Sequence, residues 1–176
     1  MDEPKLCILF SGAIGSSKTP IATFLSEERG LPVFNNDVIR TEVSEDFRNS
    51  GEAGEVERGA AYLFRRDERL YNILKKGESF ILDASIDRRW EFIKLALETH
   101  RYNWFIISLD LSKKFLLKLY EAKGYEISDA LDRTLKEHNF FLKRHAKEIG
   151  LHISDKNFRN RMKLSIEAVK KWESSL

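Results

Sequence analysis

The sequence predicts an α/β protein, a three-layer α/β/α domain around a parallel sheet. Short apolar runs alternate with longer segments of helical period, which is the pattern of strand-helix-strand units. Several runs are apolar at most positions instead of alternating with polar residues, as in strands covered on both faces. The 176 residues, 42% hydrophobic and 11% aromatic, suffice for one core and are a normal size for a single domain, 1–176.

The elements follow in order. Leu6 to Phe10 forms the first strand, and Ile21, Phe24 and Leu25 share one face of the helix after it. Pro32 to Phe34 is a weaker second strand, and Gly51 to Gly59 is the most loop-like interior stretch. Val56, Ala60, Leu63, Phe64, Leu70 and Leu74 mark a long helix closed by Gly77 as C-cap. Phe80 to Asp83 is the third strand. Asp87 is placed to N-cap a helix carrying Trp90, Ile93 and Leu97. Trp104 to Leu109 is the fourth strand, and Ser112 caps a helix with Phe115, Leu116 and Leu119 that ends at Gly124. Ser128 opens a helix with Leu131, Leu135, His138, Leu142 and Ile149. Leu151 to Ser154 is the fifth strand, and Phe158, Met162, Ile166, Val169 and Trp172 form the last helical stripe. Trp90, Trp104 and Trp172 all fall on expected core faces. No repeat, low-complexity tract or proline-rich linker interrupts the chain.

With 30 Lys+Arg against 28 Asp+Glu, the chain is neither a polybasic coat nor an acidic tail. Residues 140–176 hold a basic surplus, which reads as a solvated helix face or a contact for a polyanion. The longest uncharged stretch, Leu6 to Ser17, is shorter than the roughly 20 residues of a membrane-spanning helix, so no membrane partner is expected. The acidic start Met1-Asp2-Glu3 is not built like a secretory signal. One cysteine, Cys7, cannot form an internal disulfide and fits a reducing cytoplasm, as a buried packing residue. The four histidines are too dispersed for a zinc site; His138 and His145 read as satisfied residues at the core edge.

The sharpest local signal is Gly12-Ala13-Ile14-Gly15-Ser16-Ser17-Lys18-Thr19, directly after the first strand and before a helix. A phosphate cradle needs this context, because the loop turns its N–H groups inward and the helix N-terminus adds its positive dipole end. In that geometry Lys18 reaches the outer phosphates and Thr19 ligates Mg²⁺. Ser17 occupies the position of the last glycine in G-x-x-x-x-G-K-[ST]. If that position is left-handed, serine costs about 1–2 kcal/mol. The loop resembles a P-loop, where the residue after the Ser/Thr usually gives its N–H to the α-phosphate; Pro20 has none to give, a loss of about 1.5–3 kcal/mol and thus of roughly ten- to hundredfold in affinity unless another donor replaces it.

With this loop the chain resembles the P-loop kinases. After the second strand, Asn35-Asn36-Asp37-Val38-Ile39-Arg40 opens on the same sheet edge as the loop. Asp37 there can take the proton of an attacking hydroxyl and Arg40 can hold an anionic acceptor group; the alternative is a capping Asp37 and a surface-paired Arg40. Val33 to Val43 is similar to the corresponding motif of polynucleotide 5′-hydroxyl kinases and related small ATP-dependent kinases, where Asp-x-x-Arg supplies the base and an acceptor contact. The same spacing occurs in adenylate-kinase-like enzymes, where the arginine holds a monophosphate. Phe80 to Ser85 resembles the strand of these kinases that ends in a carboxylate, which puts Asp83 in the Mg²⁺ shell; a simple turn cap is the alternative. Arg88 and Arg89 are acceptor contacts or a solvated face. Leu116 to Gly124 is similar to the helix before the family's lid, around 120–135, with Lys123 where arginine is usual and Arg133 as a substitute.

The resemblance implies a five-stranded sheet of order 2-3-1-4-5, ATP and Mg²⁺ as cofactors, and transfer of the γ-phosphoryl to a hydroxyl of a small molecule or nucleic-acid 5′ end. Lys18, Asp37 and Lys123 are then catalytic; Asp37, Arg40 and Arg88 bind the acceptor; Thr19 and Asp83 hold the metal. Two rivals remain: a nucleoside-monophosphate kinase, and a nucleotide-binding protein without transfer, to which Ser17, Pro20 and Lys123 point together.

Overall fold

The computed structural model describes residues 4–50 and 54–176. In chain order these form β1 (Leu6–Ser11), α1 (Lys18–Arg29), β2 (Val33–Asn35), α2 (Asn36–Ser50), α3 (Glu55–Lys76), β3 (Phe80–Ser85), α4 (Trp90–Thr99), β4 (Asn103–Asp110), α5 (Lys113–Lys123), α6 (Asp129–His145), β5 (Ile149–Ser154) and α7 (Arg161–Glu173). The five strands are parallel and lie in the order β2-β3-β1-β4-β5, as the resemblance implies.

The two-residue alternation of side chains builds the outer layers. On β1, Ile8 and Phe10 enter one core with Phe105, Ile107 and Leu109 of β4, and with residues of α1, α5 and α7. Cys7 and Leu9 point the other way, into a core with residues of α2, α3 and α4. Apolar residues at consecutive positions are thus what a central strand between two helical layers requires. Cys7 is fully buried, and burial raises its thiol pKa well above the usual value.

Several elements depart from the sequence reading. The α3 stripe is buried only at Leu70 and Leu74, whereas Val56 is 83% and Phe64 72% exposed. Asn36–Ser50 is a full helix, although its short apolar pattern of Ile39 and Val43 gives a weak signal. Ile149 lies in β5, not at the end of α6, and Phe158 sits in a turn of 3₁₀ helix before α7. Of the loop expected at 51–59, residues 51–53 lie outside the described residues, as does the acidic start; Gly54 caps α3 and 55–59 are helical. Ser112 caps α5 as expected, its hydroxyl accepting from Phe115 N at 3.1 Å. Among the described residues no helix is long and apolar enough to cross a membrane.

Trp90 is 1% exposed, stacks edge-on against Trp104 at 6.0 Å, and donates its indole N–H to Glu148 at 3.1 Å. Trp90→Ala should lower stability by about 3–5 kcal/mol, read as a reduced midpoint in urea at unchanged slope.

Candidate active site

β1 delivers the phosphate-binding candidate at the centre of the sheet. Gly15 has φ 78°, and a Cβ there would collide with the Tyr120 ring of α5, so the loop can pass α5 only with glycine at this point. Ser17 is left-handed at φ 76° and ψ 33°, and carries the strain of about 1–2 kcal/mol expected for a non-glycine residue. Pro20 sits in the first turn of α1, where its missing N–H removes no helical bond.

Two lysines converge on the loop. Lys18 Nζ donates to Gly12 O at 2.9 Å, Ala13 O at 2.7 Å and Ser16 Oγ at 3.2 Å. Burial lowers the pKa of Lys18 to about 8, opposed by Asp87 and Asp83 and assisted by Lys123. From the end of α5, Lys123 Nζ donates to Gly15 O at 3.1 Å and Ser17 Oγ at 3.3 Å. Burial, and next the charge of Arg161, lower its pKa. Arg161 therefore stands with Lys123, while Arg133 is exposed and does not line the cleft. Ile14 N donates to Thr134 Oγ1 of α6 at 3.2 Å, so α6 meets the loop directly. Between α5 and α6 only residues 124–128 connect the two helices.

Thr19 Oγ1 donates to Asp83 Oδ1 at 3.1 Å, and Asp83 Oδ2 accepts from Asn35 Nδ2 at 3.1 Å. Burial raises the Asp83 pKa against the Thr19 hydrogen bond and the charge of Lys18, with Asp37 adding to the rise. Asn35, not Asp37, does the capping of α2: its Oδ1 accepts from Asp37 N at 2.7 Å. The Asp37 carboxylate is free of that role, 82% exposed, 3.9 Å from Arg40 Nη1 and on the same cleft as Lys18 and Asp83. The cleft has a volume of about 830 Å³. Arg88 also lines it, 3.5 Å from Glu137 of α6. Arg89 pairs with Asp67 through two bonds of 2.8 and 3.0 Å.

Asp87 overturns its expected role. The N-cap position of α4 belongs to Arg89, while the Asp87 carboxylate turns back under the phosphate loop. It accepts from Ser11 Oγ at 2.5 Å and Gly12 N at 3.2 Å. His138 Nδ1 lies 3.2 Å from Asp87 Oδ2 and 3.0 Å from Ser11 Oγ, and His138 Nε2 lies 3.1 Å from Asp110 Oδ1. Asp110 also takes contacts from Ser108 and His152. The connectivity matches a serine-histidine-aspartate triad, yet Ser11 is 0% exposed, so no substrate reaches its hydroxyl. Burial would lower the His138 pKa, but Asp110 and Asp87 raise it to about 9. Burial would likewise raise Asp87 and Asp110, but hydrogen bonds from His138 and its neighbours bring both below the usual carboxylate value. The sequence marks His138 only as a residue of the α6 stripe; its two partners stand 51 and 28 residues away in the chain, separations that no local pattern encodes.

A histidine whose folded pKa is raised stabilises fully below its unfolded value of 6.5 and loses that contribution as pH rises through about 9. At about 1.4 kcal/mol per pH unit this is about 3 kcal/mol. Denaturant titrations should show stability falling over that interval, and His138→Gln should flatten the profile while lowering the plateau. Ser17→Gly relieves strain at the cost of a freer unfolded chain, and should raise stability by about 0.5–1 kcal/mol in thermal melting analysed with the calorimetric enthalpy.

No protein-family profile and no curated protein matches the chain. Solved structures do. A candidate kinase from Chloroflexus aurantiacus superposes with a TM-score of 0.65 at 16% identity, over 99% of this chain and 98% of its own. A gluconokinase from Sinorhizobium meliloti gives 0.62 at 13%, over 98% and 95%. A deoxyadenosine kinase from M. mycoides, with dCMP and dCDP bound, gives 0.62 at 15%, over 97% and 100%. At these identities the likeness shows the fold: the chain has the three-layer architecture and strand order of P-loop kinases.

Proposed function

We propose that the protein is an ATP-dependent phosphotransferase that moves the γ-phosphoryl group to a hydroxyl of a small molecule or a nucleic-acid 5′ end. The observation that carries this is the contact of Thr19 with Asp83 at 3.1 Å, which joins the phosphate loop to the carboxylate of the neighbouring strand, beside a capping-free Asp37. The kinases among the structural neighbours support the class of reaction.

The Thr19 hydroxyl and Asp83 carboxylate are hard oxygen donors of the kind Mg²⁺ takes together with water and phosphate oxygens. An ion held this way would be bound jointly with nucleotide. When bound, Mg²⁺ neutralises the phosphate charge. The chain does the rest. Loop N–H groups orient the phosphates, Lys18 leaves its carbonyl partners to meet them, and Lys123 adds charge where the transferred group passes. The acceptor oxygen forms its bond to the γ-phosphorus as the bond to the ADP oxygen breaks, and its proton passes to the Asp37 carboxylate. Arg40 and Arg88 hold the acceptor.

Calorimetric titration with ATP and Mg²⁺ should show binding, lost in Lys18→Ala; absence of binding at millimolar ATP ends the kinase reading. Because Lys18 must be charged to bind and titrates at about 8 in the free protein, affinity should fall as pH rises above that value. Asp37→Asn should lower kcat by about 10²–10⁴-fold with ATP affinity unchanged. A near-unchanged kcat would instead favour a monophosphate acceptor, which needs no base. ATP binding without transfer to any acceptor would favour a nucleotide-binding protein, in line with Pro20 and the engaged Ile14 N–H.

A further inference from the structure

Two consecutive serines each hold one lysine on the phosphate loop. Lys18 Nζ donates to two loop carbonyls and to Ser16 Oγ at 3.2 Å. Lys123 Nζ, from the last residue of α5, donates to Gly15 O at 3.1 Å and to Ser17 Oγ at 3.3 Å. The second arrangement uses the most strained residue of the loop. Ser17 is left-handed at φ 76° and ψ 33° and only 7% exposed, and glycine at this position would be free of that strain. Glycine would also remove the side-chain oxygen. Lys123 would then keep Gly15 O as its one hydrogen-bond acceptor among the described residues.

Lys123 depends on such anchors because nothing else fixes its charge. Among the described residues no carboxylate pairs with it, and the Tyr125 ring lies 5.6 Å away. Burial and the charge of Arg161 both disfavour the ammonium. A lysine head is a compact charge on a long flexible stem, and a single hydrogen bond leaves most of that freedom in place. Two acceptors on a backbone of fixed shape leave far less. The helix that carries Lys123 is itself seated on the loop one turn earlier, where Tyr120 Oη donates to Ile14 O at 3.4 Å and its ring leaves no room for a Cβ on Gly15. Strain retained beside a site is explained when an interaction there depends on the strained residue. Ser17 and Lys123 meet that condition together.

Resting on the phosphotransferase reading, we infer that Ser17 is a positioning residue whose hydroxyl fixes the Lys123 ammonium on the phosphate loop before nucleotide arrives. The two residues act as one unit. An ammonium already held there adds its charge to a bound polyphosphate with little reorganisation. If Ser17 were only a poorly fitting residue, glycine would relieve the strain, widen the approach to phosphate and tighten ATP binding. A positioning role requires the reverse.

The test is calorimetric titration with ATP and Mg²⁺ across a double-mutant cycle. Ser17→Ala keeps the Cβ and the left-handed strain and removes only the hydroxyl, whereas Ser17→Gly removes both. Lys123→Ala should weaken ATP binding about tenfold, and Ser17→Ala and Ser17→Gly about threefold or more each, even though the glycine variant melts at a higher temperature than the wild type. With Lys123→Ala already present, either change at Ser17 should alter the affinity by no more than about twofold, because its partner is gone. Thermal melting verifies that every variant is folded. Unchanged or tighter ATP binding in Ser17→Ala or Ser17→Gly overturns the inference, as does an equal loss with and without Lys123. If Lys18→Ala still abolishes binding in those cases, the phosphotransferase reading stands without it. Absence of ATP binding to the wild-type protein at millimolar concentration ends that reading and this inference together.

Discussion

A buried imidazole between two carboxylates holds the working end of this molecule together. His138 of α6, 2% exposed, joins Asp87 from the loop after β3 to Asp110 at the tip of β4. Through Asp87 the link reaches Ser11 and Gly12, and through Asp110 it reaches His152 of β5. Four strand ends and one helix are thereby tied at one polar node. Parallel strands deliver their C-terminal ends to a common edge, but hydrophobic layers alone would leave those ends to fray into loops. The node supplies the registration. It holds only as a charged set, since a neutral imidazole would give up one of its two carboxylate partners and leave buried charge without compensation.

The division of labour between two carboxylates on the β3 side follows from that node. Asp87 is committed to the root of the loop and to His138, and its pKa is held low by those contacts. Asp83, four residues earlier in sequence, faces Thr19 and is pushed the other way by burial. Environment, not residue type, assigns one to structure and the other to the cleft. The same logic separates the loop's lysines. Lys18 lies against loop carbonyls and Lys123 against Gly15 and Ser17, and the charge of Lys123 adds to the burial that disfavours the charged form of Lys18. The left-handed Ser17 adds strain at the same point, so the loop concentrates positive charge and backbone cost around the space a polyphosphate would neutralise.

The fold was legible because a central strand between two helical layers must be apolar at consecutive positions, and Leu6 to Phe10 states this directly. The glycine-lysine-threonine loop was legible because its chemistry is local: Gly15 admits no Cβ beside Tyr120, and Lys18 and Thr19 follow at fixed spacing. Asp87 was misread for the opposite reason. An aspartate three residues before a helix satisfies the capping pattern as well as any other, and only the approach of His138 from α6 decides where its carboxylate turns. The exposed Val56 and Phe64 on α3 follow a helical period without touching a core, because period reports amphipathicity and not what lies opposite.

The near-balance of charge over the chain conceals where charge is consequential. The basic surplus of the C-terminal segment is largely solvated: Lys163 is 74% exposed even in its contact with Glu167, and water screens such groups to within about 1 kcal/mol. Two arginines escape that screening. Arg161, at the start of α7, has an Nε without a hydrogen-bond partner among the described residues, and its charge lowers the pKa of Lys123. Arg66 shares its carboxylate with Arg89. Cations held out of water repel one another and their burial opposes folding, so charge in this fold is costly at these two positions and cheap along the exposed tail. The exposed lysines of the tail are screened and add little to either effect.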